Sequence, residues 1–488
     1  MSGIGIEFRR IYRHRTITSS LRSLGGSLVS TLTPMLTIIL VLVVMYNTLD
    51  YDNALFAERE LLSASLMYVF VFSLIATAAF SGPISKLLGD SLYVGDFDDV
   101  MPCYYTGLAL TMGLSGLMAL VFYGFAYSTG QVPLDFAAMS FCAFISMALV
   151  FYNMNFMSAA KALKQIAIYF GVGMAFSYVC AWVMTLIGVP VIRAMLLGLT
   201  CGFWLIAALE YALVRSMYTG NSRKYGKVLR YIKQNRVLIV SNLLYTLGLF
   251  VHNFVYWTGS LSVTVAGCYV YAPTYDKASC IAMYTNIMAS VLFVMQVQAH
   301  FTERFKAYSA AVRTGRMVDI DIAKSRMFRM MNYIITSVVK LQFITSVGLF
   351  LLFMVVLPGM GFYGLSLDIY PCLAAGYFVV YMMYALLMFL NYYEDTRGAL
   401  YTSLTFFTLT LLGSIGTMLF LPYAWQGLGL FLGGLGSWAV AFFRINWVRK
   451  HFNALVFCRG ELIAQKQEPL PSNQAYPFPK KEKEAIKA

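Results

Sequence analysis

Long apolar runs alternate with short polar segments about twelve times along this chain. Each run has about the 20 residues that a helix needs to cross roughly 30 Å of hydrocarbon. Hydrophobic residues make up 59% of the 488 residues and charged residues only 12%, so a soluble core could not bury this much apolar surface. We therefore predict an all-α integral membrane protein with about 12 transmembrane helices. The predicted spans are 26–46, 63–85, 102–127, 134–158, 165–188, 190–214, 237–257, 278–301, 331–357, 366–391, 399–421 and 425–447.

The basic residues fall mainly in every second polar segment, which sets the predicted orientation. Lys and Arg close to helix ends remain on the cytoplasmic side. Only Arg59, Arg193 and Lys277 fall in segments assigned to the outside, so we predict that both termini are cytoplasmic. Asp276, beside Lys277, is interpreted as an ordinary interface charge. The formal net charge of +14 then reflects topology and contact with anionic lipids, and nucleic acid is not a predicted partner.

The two ends of the chain are predicted to lie outside the bilayer. Residues 1–25 mix apolar residues with arginines, which is typical of an amphipathic helix on the inner leaflet, and a simple polar flank explains them equally well. No cleaved targeting sequence is expected, because a full-length span without a small-residue cleavage pattern follows. Residues 448–488 form a predicted cytoplasmic tail, disordered from about residue 465.

Twelve spans with both ends on one side divide naturally into two groups of six. The basic segment 215–236 separates the groups, so we predict one bundle over 26–214 and a second over 237–447, around a central cavity. A glycine cluster in the last span predicts close helix packing rather than nucleotide binding, because it lies within an apolar run instead of after a strand. Its members are Gly427, Gly429, Gly433, Gly434 and Gly436.

Enzyme chemistry has little support in this sequence. The acidic residues Asp96, Asp98 and Asp99 resemble an element that holds a metal–nucleotide in glycosyltransferases, but no Gly-rich or basic phosphate site accompanies them. The four histidines and eight cysteines show no metal-ligand spacing. We therefore predict no catalytic residue, metal or cofactor. Three cysteines lie near the predicted outer face, and the sequence does not decide whether two of them form a disulfide: Cys268, Cys280 and Cys372.

Polar residues inside the predicted spans are informative, because a charge at a helix centre costs about 2.5–3.5 kcal/mol unless it faces protein or water. Lys340 lies eleven residues beyond Arg329, roughly 16 Å along a helix, and is predicted to line the substrate path or to pair with a carboxylate. His252 and Asn253 are path candidates too, with interhelical hydrogen bonding as the commoner use of such residues. Glu210 is the fourth candidate, although snorkelling to the inner interface explains it equally well.

Five short segments, in order along the chain, resemble one known family. They are 3–10 (GIGIEFRR), 85–102, 275–277 (YDK), 301–308 (FTERFKAY) and 392–400 (YYEDTRGAL). Their sequence and placement are similar to the PelG family, whose members open with a GIGFELRK-type segment and serve in Pel exopolysaccharide export. The likeness covers most of residues 3–450. An acidic–basic pair is expected in the seventh span of such proteins; this chain has His252 and Asn253 there instead, so the details of that pair are not carried over.

The resemblance implies a member of the multidrug/oligosaccharidyl-lipid/polysaccharide (MOP) exporter superfamily, in which two six-helix bundles enclose a cavity open to one side at a time. It implies export of a partly deacetylated, cationic amino-sugar polymer with a cytoplasmic glycosyltransferase similar to PelF and membrane partners similar to PelD and PelE. The basic segments 215–236 and 302–330 are the predicted glycosyltransferase contacts, with topology signals alone as the other interpretation. The candidate contact residues are Arg223, Lys224, Lys227, Arg304, Lys306 and Arg313.

The sequence thus predicts a non-enzymatic exopolysaccharide exporter of the bacterial cytoplasmic membrane, working as a flippase or as a conduit. A cationic polymer passing Lys340 requires that this lysine be paired or neutral. A cation-coupled multidrug antiporter of the same fold is the first alternative, but no carboxylate is expected near mid-membrane. A membrane glycosyltransferase using Asp96, Asp98 and Asp99 is the second, and a scaffold that transports nothing is the third.

Overall fold

The computed structural model describes residues 33–34, 36–94, 97–160, 162–360 and 364–459. The predicted N-terminal segment 1–25, Asp96 and most of the predicted tail 448–488 lie outside the described residues. The described elements are almost all helices. In chain order they are α1 Leu36–Thr48, α2 Phe56–Val94, α3 Val100–Ser128, α4 Leu134–Ala159, α5 Leu163–Leu186, α6 Val191–Met217, α7 Tyr225–Gln234, α8 Arg236–Trp257, β1 Val263–Val265, β2 Tyr269–Tyr271, α9 Pro273–Tyr284, α10 Ile287–Gln296, α11 Thr302–Thr314, α12 Met317–Val356, α13 Leu365–Tyr392, α14 Thr396–Phe420 and α15 Leu428–Arg459.

Within the described residues, ten helices are long and apolar enough to cross a membrane. They are α2 to α6, α8 and α12 to α15, and they correspond to ten of the twelve predicted spans. The prediction of an all-α, multi-pass membrane protein is thereby confirmed. Of the predicted first span, 26–46, the structure describes the shorter apolar helix α1. The cytoplasmic location of both termini stays a prediction.

The predicted eighth span, 278–301, is the clearest departure from the sequence analysis. The chain forms two helices there, α9 and α10, which are separated at Thr285 and Asn286. A π-helical turn over Val297–Phe301 then leads into α11. The prediction of one continuous helix is wrong. At the break the Asn286 side chain bonds Gln342 of α12 and the Tyr377 carbonyl of α13.

A two-stranded antiparallel hairpin, β1–β2, precedes α9 and was not predicted. Its turn residues Ala266 and Gly267 have φ values of 47° and 65°, as a type I′ turn requires. The hairpin lies against α2, where the Tyr68 hydroxyl donates to the Val270 carbonyl at 2.8 Å and the Tyr271 hydroxyl bonds Glu60. In the predicted orientation, the hairpin lies at the outer ends of the helices.

The helices pack in two groups that meet along α2 and α8. Helices α2 to α6 contact mainly one another, and so do α8 and the helices that follow it. Near the outer end of this contact the rings of Tyr68 and Trp257 stack with centroids 5.3 Å apart. Further along, a side chain at Gly82 would overlap the Asn242 amide, so glycine permits the close approach. This packing is consistent with bundles at 26–214 and 237–447, a division that stays a prediction.

Close helix pairs are brought together by small residues. A Cβ atom on Gly202 of α6 would lie 2.8 Å from the Gly173 carbonyl of α5. A Cβ atom on Gly427, just before α15, would lie 2.7 Å from the Leu373 backbone nitrogen of α13, and Gly433 approaches the α14 backbone similarly. The predicted packing role of the glycine cluster is therefore confirmed.

Candidate functional site

A cluster of polar side chains joins α8, α9 and α13. His252 is fully buried, with Nδ1 2.8 Å from the Tyr275 hydroxyl and Nε2 3.5 Å from the Tyr377 hydroxyl. The Tyr377 hydroxyl lies a further 2.9 Å from Oγ of Ser279. Both ring nitrogens of His252 therefore face protein, and in this conformation the residue ties three helices together. Its place on the substrate path stays a prediction.

The carboxylate of Asp276, in the first turn of α9, is held by neutral donors. Nδ2 of Asn253 donates to Oδ1 at 2.8 Å, and Nε1 of Trp257 donates to Oδ2 at 3.0 Å. The backbone N–H of Ala272 donates to Oδ2 at 2.9 Å. Burial raises the pKa of the Asp276 carboxyl to about 6, although the three hydrogen bonds lower it. Among the described Lys and Arg side chains none forms an ion pair with Asp276, so at neutral pH it is mostly ionised without such a counter-charge.

Sequence reasoning named only two members of this cluster as site candidates, His252 and Asn253. The interpretation of Asp276 as an ordinary interface charge is wrong, because its carboxylate bonds side chains of α8. The 23 positions that separate Asn253 from Asp276 include the unpredicted hairpin, which folds the chain back and brings the two together. The available signal was the membership of Asp276 in the YDK segment of the family resemblance.

The break between α9 and α10 is held by two amide side chains. Gln342 of α12 is fully buried, and its Nε2 donates to Oδ1 of Asn286 at 2.6 Å. Nδ2 of Asn286 donates in turn to the Tyr377 carbonyl at 3.0 Å. Discontinuous helices form substrate and ion sites in many transporters. The break and the Asp276 cluster lie at opposite ends of α9, and both contact α13 through Tyr377.

Lys340 lies on the exposed face of α12, opposite the buried residues Val338 and Gln342. It forms no ion pair with a described carboxylate. The depth of roughly 16 Å assumed a membrane boundary near Arg329, but α12 begins well before that residue. Counting the roughly 20 residues of a span back from the other end, Val356, places the boundary only a few residues from Lys340. Whether Lys340 lines the path stays a prediction.

Glu210 lies in the interior of the N-terminal helices. The residue is fully buried in α6, and neither carboxylate oxygen has a hydrogen-bond partner in the described chain. Snorkelling to the inner interface is therefore the wrong interpretation. In this conformation the residue is closed off from any polymer. Its place on the substrate path stays a prediction.

Asp99 anchors the short helix α7 beside the end of α2 and the start of α3. Nζ of Lys227 lies 2.7 Å and Nζ of Lys224 3.7 Å from its carboxylate oxygens. The Tyr231 hydroxyl donates to Oδ2 of Asp90 at 3.1 Å. In the described chain no group of three or more His, Cys, Asp or Glu could hold a metal ion. Asp99 therefore ties α7 to the start of α3, Asp98 beside it is exposed, and Asp96 lies outside the described residues.

The predicted partner-contact residues lie on α7, α11 and the segment before α7. The side chains of Lys224 and Lys227 remain 60% and 62% exposed although they pair with Asp99. The other predicted residues are exposed too; they are Arg223, Arg304, Lys306 and Arg313. Their contact with a glycosyltransferase stays a prediction. The sequence leaves open a disulfide among three cysteines. All three are free thiols: Cys268, Cys280 and Cys372.

The sequence matches the model of one protein family over residues 1–457, nearly the whole chain. The family is described as "PelG: Putative exopolysaccharide Exporter (EPS-E)". The chain belongs to the PelG family. No curated protein matches the sequence significantly. Membership confirms the resemblance and identifies the protein as a non-enzymatic exopolysaccharide exporter of the bacterial cytoplasmic membrane.

The fold of this PelG family member is similar to solved transporters of the MOP superfamily. A MATE structure in complex with MaL6 has a TM-score of 0.56 and 12% identity, covering 88% of this chain and 96% of that one. An outward-facing MATE family transporter has a TM-score of 0.56 and 13% identity, covering 93% and 99%. A MOP superfamily transporter from Pyrococcus furiosus has a TM-score of 0.51 and 13% identity, covering 89% and 95%. Identities this low indicate a shared fold alone.

The raised pKa of Asp276 predicts a pH-dependent stability. The folded-state pKa of about 6 lies above the ordinary value of 3.8, so the folded protein binds the proton more tightly than the unfolded chain does. The resulting stabilisation is complete below about pH 4 and is lost as the pH rises through 6. The thermal midpoint of the purified protein should therefore fall by a few degrees between about pH 5 and pH 7.5. Asp276→Asn should flatten this slope, whereas Asp135→Asn, at the exposed start of α4, should keep it. An unchanged slope in Asp276→Asn would contradict the assignment.

Proposed function

We propose that this exporter moves a Pel-like, cationic amino-sugar polymer outward as a cytoplasmic, PelF-like glycosyltransferase extends it. The coupling is supported by exposed basic residues on α7, on α11 and in the segment just before α7. Together they are called the basic platform here: Arg223, Lys224, Lys227, Arg230, Lys233, Arg304, Lys306 and Arg313. PelD-like and PelE-like membrane proteins complete the proposed complex. The polymer enters beside the basic platform and leaves at the outer end, where the hairpin and Asp276 lie.

The α7 part of the basic platform is held rigidly. Val228 and Ile232 bury the apolar side of α7, while Arg230 and Lys233 stay exposed on the other side. The ion pair between Lys227 and Asp99 fixes the helix against α3. A helix placed in this way presents charge without paying much ordering entropy on binding, which favours a protein partner over a purely topological role.

The α11 part has a similar division between its faces. Tyr308 and Ser309 are buried, whereas Arg304 and Lys306 are exposed. The partner surface that fits both parts is acidic, since complementary charge speeds association and fixes orientation. Anionic lipid head groups would bind the same residues, so the test must separate the enzyme from the membrane.

A cationic polymer is supported by Asp276. Its carboxylate is held by neutral donors, so its charge is available to an ammonium group at the outer end of the path. The candidates Lys340, His252, Asn253 and Glu210 remain proposals for the path itself. The exposed Lys340 lies near the inner boundary that is counted back from Val356, where its side chain can reach toward water and leave mid-membrane free of a repelling charge.

The test is secretion and enzyme binding by charge-reversed variants in cells that lack the chromosomal copy of the gene. Arg223→Glu combined with Arg304→Glu should reduce secreted amino-sugar polymer and co-purification of the glycosyltransferase by about tenfold, the effect of losing roughly 1.4 kcal/mol of binding. Arg193→Glu, a reversal in the first turn of α6 and away from both the basic platform and Asp276, is the matched control and should secrete normally.

Three outcomes separate the parts of this proposal. Normal secretion after deletion of the gene would overturn the export assignment. Normal enzyme binding by the double variant, with less protein at the membrane, would assign the basic platform to lipid. Lys340→Ala should reduce secretion severalfold at unchanged enzyme binding, and full secretion would remove Lys340 from the path.

A further inference from the structure

Glu210 places a carboxyl group where the described chain does not compensate a negative charge. The residue is fully buried, and neither oxygen accepts a hydrogen bond. An ionised carboxylate in such a site loses its hydration and gains no hydrogen bond or ion pair in exchange, at a cost of several kcal/mol. The neutral, protonated acid is therefore the form that fits this environment.

Two uncharged polar side chains, Tyr104 and Asn153, lie in the region of Glu210. Tyr104 of α3 lies within electrostatic reach of Glu210, and its hydroxyl donates to Oδ1 of Asn153 at 2.7 Å. Nδ2 of Asn153 in α4 donates to the Ala207 carbonyl, one turn before Glu210, at 3.1 Å. No charged side chain described on α2, α4 or α5 acts on the carboxyl group, and Arg215 of its own helix points to the exposed surface.

A row of buried hydroxyl groups runs from this position along α3. Thr111 and Ser115 follow Tyr104 by seven and eleven positions, which places all three on one face of the helix. Both are fully buried, and neither hydroxyl oxygen has a hydrogen-bond partner in the described chain. Buried hydroxyls without partners are uncommon, because each loses about 1–3 kcal/mol of hydrogen bonding. The row leads from the level of Glu210 toward the outer end.

We propose that Glu210 is a proton-binding site that couples export to the proton gradient, with the Tyr104, Thr111 and Ser115 hydroxyls as its route to the outer side. The coupling rests on the proposed export of polymer, whereas the binding of a proton at Glu210 does not. The sequence alone makes snorkelling of Glu210 an equal alternative, because it lies only five positions from Arg215.

One proton moves inward in each cycle, and no other bond forms or breaks. In the described conformation the carboxyl group of Glu210 holds the proton. When the cytoplasmic ends of the helices separate, the acid gives its proton to water and becomes a carboxylate. A proton that enters from the outer side along the hydroxyl row restores the acid, and water carries it between the hydroxyls, because Tyr104 and Thr111 lie about 10 Å apart along the helix. Inward movement of the proton drives outward movement of the polymer.

The first test detects the proton directly and needs no polymer. Infrared spectra of the purified protein near neutral pH should contain a protonated carboxyl C=O band that Glu210→Gln removes. Glutamine has the shape of the protonated acid, so the variant should fold. Glu58→Gln, at the outer start of α2, is the matched control and should keep the band. A band that persists in Glu210→Gln would overturn the proton-binding assignment.

The second test measures coupling in cells at constant ATP. Wild-type secretion should collapse when a protonophore is added, and Glu210→Gln should secrete severalfold less polymer and respond little to the protonophore. Glu210→Asp, which keeps a titratable acid, should retain slow, protonophore-sensitive secretion. Wild-type secretion that resists the protonophore would overturn the coupling. Loss of the infrared band together with normal secretion after gene deletion would instead overturn the export function and leave the proton site standing.

Discussion

Replacement of Arg444 by alanine should reduce the free energy of unfolding by about 3–5 kcal/mol, the cost of leaving a buried charge without its partner. Nε and Nη2 of Arg444 lie 2.6 and 3.0 Å from the two carboxylate oxygens of Asp395, whose side chain is only 1% exposed. Asp395 also accepts the Gly398 N–H at 3.2 Å and so caps the start of α14. The loss should be measured by equilibrium unfolding in mixed detergent micelles.

A second ion pair of this chain supplies the control. Arg193 lies 2.8 Å from Asp135, but the two side chains are 37% and 42% exposed. Arg193→Ala should therefore cost at most about 1 kcal/mol, because water screens the pair. The loss in Arg444→Lys should fall between the losses of the two alanine variants, since lysine keeps the charge and cannot form the bidentate hydrogen bonds. Equal losses in Arg444→Ala and Arg193→Ala would show that burial of Asp395 does not matter.

Substitution of Gly433 by valine should reduce the free energy of unfolding by about 3 kcal/mol, the upper end of the usual range for adding a side chain to a packed core. A Cβ atom on Gly433 of α15 would lie 2.8 Å from the Thr410 backbone nitrogen and 3.0 Å from its Cα. Backbone cannot rotate away as a side chain can, so α14 and α15 would have to separate. Thermal unfolding and the yield of monodisperse protein in detergent should both report the loss.

Gly416→Val is the matched variant on the partner helix. A Cβ atom there would meet nothing within 4 Å. The free energy of unfolding should therefore change by no more than about 0.5 kcal/mol, as is typical of surface substitutions. A large loss in Gly416→Val as well would mean that valine itself, rather than the contact of α14 with α15, destabilises the helices.

Local patterns sufficed for much of the architecture. Apolar runs of about 20 residues correspond to ten observed helices, because length and hydropathy alone decide which segments suit a bilayer. The glycine cluster of the last span predicted close packing, since a missing side chain is visible in any sequence. The five resemblance segments placed the chain in a family that the match over residues 1–457 confirms.

The boundaries of individual helices were less predictable. The run 278–301 is apolar on average, yet Asn286 finds Gln342 on another helix, and this contact accompanies a break that hydropathy does not register. Helix α12 starts before the predicted boundary, because an amphipathic helix continues beyond the bilayer without an apolar run. That extension changed the predicted depth of Lys340.

The sequence by itself determined that this chain crosses the membrane many times, how its helices are distributed along the chain, and to which exporter family it belongs. Each of these properties follows from residues that are close together in the chain. Only the tertiary structure decided that Asp99 pairs with Lys227, that Asp276 bonds Asn253, and that Glu210 is buried without a hydrogen-bond partner among the described residues. The charge state and role of an acid depend on which groups surround it in space, and helix packing brings together groups that are far apart in the sequence.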